Sequence, residues 1–122
     1  MTAAQARALF TATAEKPSKY RSKRTTVAGL TFDSKAEGAR YAELSLMLRA
    51  GLIRDLQTQR RFPLVVNGQK IATYVADFSY FDVATGASVV EDVKSVATLT
   101  PTFRLKEKLM VALHGIVIKR VF

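Results

Sequence analysis

Residues 34 to 51 carry a helical signature. Ser34-Lys35-Ala36-Glu37 fits a capping box, Gly51 stands where a helix C-terminus would place it, and Glu37, Tyr41, Leu44 and Leu48 fall on one stripe at helical spacing. A helix over residues 35–50 is predicted, with an acid at the head of its inward row. Upstream, Val27 to Phe32 is short, β-branched and broken by Gly29, which suggests a small strand or hairpin leading into that helix. Residues 3–14 are Ala-rich and read as a short appended helix. Downstream the pattern changes. Ile53 to Leu56 and Phe62 to Val66 precede Asn67-Gly68, the dipeptide of a type I′ hairpin turn, and Ile71 to Tyr80 continues as a long strand. Asp82 to Gly86 reads as a second turn and Ala87 to Lys94, rich in Val, as another strand, so residues 62–94 are expected to form a three-strand antiparallel meander. Thr100-Pro101 opens a second helix with Leu105, Leu109, Ala112 and Leu113 as its apolar stripe, ended by His114-Gly115. Ile116 to Val121 is a closing strand. The order helix, three strands, helix, strand is an α/β pattern of the α+β kind. One domain over residues 26–122 is expected, preceded by an appendage and basic arm over residues 1–25.

Composition narrows the chemistry. With 122 residues and 48% hydrophobic side chains the chain can bury a core unaided, and no cysteine is present to staple it. Zero Cys and a single His exclude disulfide scaffolds, thiolate metal sites and His-based zinc clusters. No apolar run approaches a membrane span and the N-terminus lacks an apolar core before a cleavage site, so a soluble cytoplasmic protein is expected, with no membrane partner. Nineteen Lys and Arg against ten Asp and Glu give a net charge of +9. A polyanion is the expected partner. The excess lies mostly in the first half, where Lys16 to Arg24 is a basic stretch without helical or strand period. Lys19, Arg21, Lys23 and Arg24 are there to contact phosphates and Tyr20 to stack on a base, although a solubilising tail would have the same composition. Arg104, Lys106 and Lys108 on the second helix are further candidates for gripping a nucleic-acid backbone, against the simpler reading of a solvated helix face.

The acids supply the distinguishing feature. Asp77 lies inside the apolar strand segment Tyr74-Val75-Ala76-Asp77-Phe78, where a strand former would be expected. In Val89-Val90-Glu91-Asp92-Val93-Lys94 the period of two puts Asp92 and Lys94 on one face and Glu91 on the other. Pairing 77 with 92 implies closure by residues 82 and 87 around a four-residue loop, whereas a slip of one residue would bring Glu91 opposite Asp77 and separate the lysine from the acids. Glu37, Asp77 and Asp92 brought together would repel one another unless a divalent cation lay between them, and oxygen-only donors suit Mg2+ or Mn2+. Carboxylates, cation and lysine would support phosphodiester hydrolysis. The plainer alternative makes Asp77 and Lys94 a cross-strand ion pair, Glu37 a capping acid and Asp92 a solvent-face residue. His114 reads as a helix-end residue.

Asp77, fourteen intervening residues of which Glu91 is the last, and Asp92-Val93-Lys94 resemble the bipartite signature of the PD-(D/E)XK nuclease superfamily. Thr31 to Glu37, Tyr41, Leu44, the Leu56 to Phe62 segment with Gln59, and Glu91 to Lys94 resemble, more closely, a phage and prophage family of restriction-endonuclease-like proteins long listed as a domain of unknown function. The resemblance spans about residues 19 to 121. It implies a restriction-endonuclease-like core, with Glu37, Asp77 and Asp92 as metal ligands, Lys94 as the catalytic lysine, and Gln59 and Glu91 as supporting residues. Ala76 replaces the signature's proline and Ser95 the glycine that tends to follow the lysine. The implied function is a Mg2+-dependent DNA endonuclease acting on branched or structured DNA in phage replication or recombination, in a bacterial host cell. Symmetric cutting of two strands would favour a homodimer. A non-catalytic nucleic-acid-binding module on the same scaffold, or a basic structural protein, would also carry the charge.

Overall fold

The computed structural model describes residues 25–27 and 29–122. The appended helix expected at residues 3–14 and the basic arm, with Lys19, Tyr20, Arg21, Lys23 and Arg24, lie outside the described residues. The fold is α+β, and the chain divides into two compact units, Met1–Ala50 and Gly51–Phe122.

In the first unit, β1 (Thr25–Val27) and β2 (Leu30–Phe32) pair antiparallel around Gly29, and α1 (Lys35–Arg49) follows. Ser34 accepts the Glu37 N–H at 3.1 Å and so caps the helix. Leu44 is fully buried and Tyr41 packs on Phe32 with ring centroids 5.1 Å apart. Leu48, predicted on the inward stripe, is 41% exposed. Buried Gly38 continues the inward face instead, because a Cβ there would stand 3.0 Å from the Thr25 side chain and 3.2 Å from that of Val27. The absence of a side chain lets α1 lie close to β1.

The second unit is a four-strand sheet in the order β3-β4-β5-β6, made of β3 (Ile53–Val66), β4 (Gln69–Asp82), β5 (Ala87–Val93) and β6 (Lys119–Val121). A 3-10 turn (Val96–Thr98) and α2 (Pro101–His114) join β5 to β6, and this crossover makes their pairing parallel. The two apolar pieces expected at 53–56 and 62–66 form one bulged strand. Residues 55 and 56 together stand opposite Tyr80, one residue more than the ladder needs, and Asp55 takes a φ of 56°. Asn67 and Gly68 close the hairpin with φ of 50° and 77°, the left-handed pair that a type I′ turn requires.

α2 begins as expected, with Thr100 accepting the Phe103 N–H and Pro101 in the first turn. Its buried row departs in part from the expected stripe, of which Leu109 packs against the core and Ala112 and Leu113 are exposed. Phe103 and Met110 enter the core with Phe62, Leu64, Tyr74, Ala76, Val90 and Ile118, while Leu105 is 59% exposed. Apolar residues occur on every side of this helix, so spacing alone could not choose its inner face. His114 closes the inward row, its Nε2 donating to the Pro63 carbonyl at 2.8 Å and its ring edge-on to Phe62. No described helix is long and apolar enough to cross a membrane.

Candidate functional site

The β4–β5 ladder begins at Asp82↔Ala87 and runs to Phe78↔Glu91. Its loop is Val83 to Gly86, with Gly86 at a φ of 69° and its N–H donated to the Asp82 carbonyl. One step further, the same register sets Asp77 across from Asp92. There a side chain takes over from the backbone ladder, and the Val93 N–H donates to Asp77 Oδ2 at 2.8 Å. The apolar strand therefore holds an acid because the acid completes the sheet's hydrogen bonding.

On the other flank of Asp77, the β3–β4 pairs Thr58↔Phe78 and Arg60↔Ala76 leave Gln59 across from it. Gln59 adopts a φ of 54°, a conformation that costs a non-glycine residue about 1–3 kcal/mol and tends to concentrate at functional sites. Ala76 and Val90 share one core cluster although Val90 pairs with Ser79, which regular alternation would set on the face opposite Ala76. The strand's alternation thus breaks around Asp77.

Asp92 is 5% exposed, and each of its carboxylate oxygens has a partner. Oδ1 pairs with Lys94 Nζ at 3.1 Å, and Oδ2 accepts the Tyr74 hydroxyl at 2.5 Å. The Lys94 ammonium also lies 4.0 Å from the centre of the Phe103 ring. Lys94 N–H donates to the Val121 carbonyl at 2.7 Å, so β6 fixes the backbone from which the lysine projects. Burial, and then the hydrogen bond to Asp92, raise the Tyr74 phenol far above its ordinary range and keep it a donor.

Asp77, Asp92 and Lys94 are thus gathered where β4 and β5 part, with Gln59 beside them in the sheet. The lysine's partner is Asp92, not the Asp77 of the simpler cross-strand alternative. Glu91, fully buried, is directed elsewhere: the Tyr80 hydroxyl donates to it and Lys119 Nζ lies 3.8 Å from it. Glu37 stands in the first turn of α1, half-buried, its backbone N–H held by Ser34. Arg104 and Lys108 line a groove of about 390 Å³ with Leu99, Pro101 and Leu105. Lys106 is half-buried and donates to the Thr73 carbonyl at 3.1 Å. Sequence reasoning missed Tyr74 and Phe103. In the sequence Tyr74 is only part of an apolar strand segment and Phe103 lies outside the expected stripe of its helix, and only the shared buried environment of a phenol and a carboxylate reveals the first.

The donors at Asp77, inside β4, and Asp92, near the end of β5, are hard carboxylate oxygens, the chemistry that fits Mg2+ or Mn2+. Among the described residues, no three His, Asp or Glu side chains stand as a ready-made ligand group.

A family model described as "Protein of unknown function (DUF1064)" matches residues 17–117. The chain belongs to this family. Among curated proteins and among solved structures, nothing matches it. The family match covers β1 through α2, including Gln59, Asp77, Asp92 and Lys94.

Proposed function

We propose that this protein is a divalent-metal-dependent DNA endonuclease. The observation that carries the reading is that Asp77 Oδ2 accepts the N–H of Val93, the residue after Asp92, at 2.8 Å, with Lys94 3.1 Å from Asp92. The net charge of +9, the exposed Arg104 and Lys108, and the resemblance of Asp77, Asp92-Val93-Lys94 and Glu37 to the PD-(D/E)XK signature support it. In this reading Asp77 and Asp92 hold Mg2+ or Mn2+. A bound cation would supply Lewis acidity toward the scissile phosphate and an attacking water. Lys94 orients that water and offsets the negative charge that grows as the new P–O bond forms and the ester P–O bond breaks. Arg104 and Lys108 hold the DNA backbone.

Branched or structured DNA of a phage in its bacterial host is the proposed substrate, with a homodimer as the form that cuts two strands symmetrically. The test is incubation with linear, flap and four-way-junction DNAs in Mg2+, Mn2+ or EDTA. Cleavage of one structure in metal but not in EDTA is the expected result. A second reading, a nucleic-acid-binding module without turnover, is favoured by the full engagement of Asp92 with Tyr74 and Lys94. Tight binding to the same panel with no product in either metal would establish that reading instead.

A further inference from the structure

The Asp92–Lys94 pair is nearly enclosed, with side chains 7% and 13% exposed. Two charges withdrawn from water this far are costly unless further groups solvate them, and each has one such group. Asp92 has the Tyr74 hydroxyl; Lys94 has the face of Phe103. The two supports sit on different elements and neither can easily move. The Tyr74 ring is 3% exposed and stacked against Phe62 with centroids 6.2 Å apart. Phe103 is 6% exposed, and its backbone N–H is fixed by the Thr100 cap at 3.1 Å. Arg120 approaches the same ring at 5.9 Å but is tied to Glu107 by contacts of 2.8 and 2.6 Å, leaving the nearer position to Lys94.

A cation drawn to Asp92 competes with the lysine ammonium for carboxylate oxygen. The phenol is rigid and the four-carbon lysine stem is not, so the ammonium is the partner that can yield. We infer that Tyr74 and Phe103 are positioning residues, Tyr74 keeping the Asp92 carboxylate aimed through Oδ2 and Phe103 retaining the Lys94 ammonium beside it when Oδ1 is given to a cation. This inference rests on the metal-dependent reading above. The charged pair of the cation-free protein becomes two separately held groups, a ligand and a lysine, without rearrangement of the sheet.

The test uses the full chain and the variants Tyr74→Phe, Phe103→Leu and Phe103→Tyr. Thermal unfolding across a Mn2+ titration reads cation affinity, and Tyr74→Phe should weaken its midpoint about 10- to 100-fold, the usual consequence of removing a group that orients a ligand. Phe103→Leu should leave that midpoint in place, lower kcat for DNA cleavage with KM unchanged, and be restored by Phe103→Tyr. Proton NMR of wild-type protein provides a readout that needs no variant. The Lys94 ε-methylene resonances should lie upfield under the Phe103 ring and remain there when Mg2+ is added. A wild type stabilised by Mn2+ and active on DNA, with a Tyr74→Phe midpoint unchanged, would overturn the positioning role and leave the proposed function standing. Movement of the Lys94 resonances to their solvent-exposed position on adding Mg2+ would overturn the role of Phe103. A wild type that neither gains stability from Mn2+ nor cleaves DNA would overturn the proposed function and this inference together.

Discussion

At the scale of single residues, the decisive feature is that Asp77 and Asp92 each have a structural task beside the chemical one proposed for them. Asp77 accepts a backbone N–H and Asp92 divides its oxygens between a phenol and an ammonium. Lys94→Ala leaves Asp92 with Tyr74 alone and removes the group proposed to act on the attacking water. Cleavage should fall about 100- to 1,000-fold while DNA affinity changes little, as single-turnover rates and fluorescence anisotropy would show. Equal loss in both measurements would place the lysine in binding instead. Asp92→Asn removes a charged ligand but retains an acceptor for Tyr74. The variant should remain folded and lack the rise in melting temperature expected of the wild type in Mn2+; an undiminished rise would remove Asp92 from the proposed ligand set.

At the scale of elements, α2 is held to the sheet by both apolar and charged contacts. Met110 is fully buried among residues of β3, β4 and β5 and Ile118, so Met110→Ala should destabilise the protein by about 2–5 kcal/mol in a urea titration, the range for deleting a buried side chain of this size. Arg120 of β6 grips Glu107 of α2 by two hydrogen bonds, and those bonds hold the Glu107 carboxyl below its ordinary value near 4.5. A depressed folded-state value stabilises the protein above the unfolded value, and the contribution is lost as pH falls through the folded one. Glu107→Gln should therefore lower the melting temperature near neutral pH by a small amount, since the pair is partly exposed, and the gap from wild type should close below about pH 4.5. Calorimetry from about pH 7 to about pH 3 checks this. A gap that persists at the acid end would mean the residue acts through packing.

At the scale of the whole molecule, charge dominates. Residues 1–24 carry Arg7, Lys16, Lys19, Arg21, Lys23 and Arg24 against Glu15 alone. If these cations contact phosphates, deleting the segment should lower DNA affinity and flatten its dependence on salt, because fewer counterions are released on binding. Anisotropy titrations between about 50 and 200 mM salt measure both quantities. Unchanged affinity and slope would show that the segment takes no part in binding. Turnover by the shortened chain at saturating DNA should persist, since Asp77, Asp92 and Lys94 all lie elsewhere.

The helices and turns were legible in the sequence because their signals are local. Ser34 and Thr100 as caps, Asn67-Gly68 as a turn and Gly86 at a loop end each satisfy backbone geometry within a few residues. The β4–β5 register was legible for a related reason, since a short loop leaves few ways to close and only one sets Asp77 across from Asp92. The inner face of α2, by contrast, was decided by the sheet it covers, because its apolar residues surround the helix and Phe103 and Met110 are the ones buried against β3, β4 and β5, with Leu109 partly buried beside them. The single bulged strand from Ile53 to Val66 arose through pairing with all of β4, which overrode the polar interruption at residues 57–61. Tyr74 on one oxygen of Asp92 and Lys94 on the other, with Phe103 under the ammonium, join residues 18 and 9 positions apart across a sheet and a helix. No local pattern encodes such a meeting: the sequence determined which groups were available, and packing in three dimensions determined which of them share a buried charge.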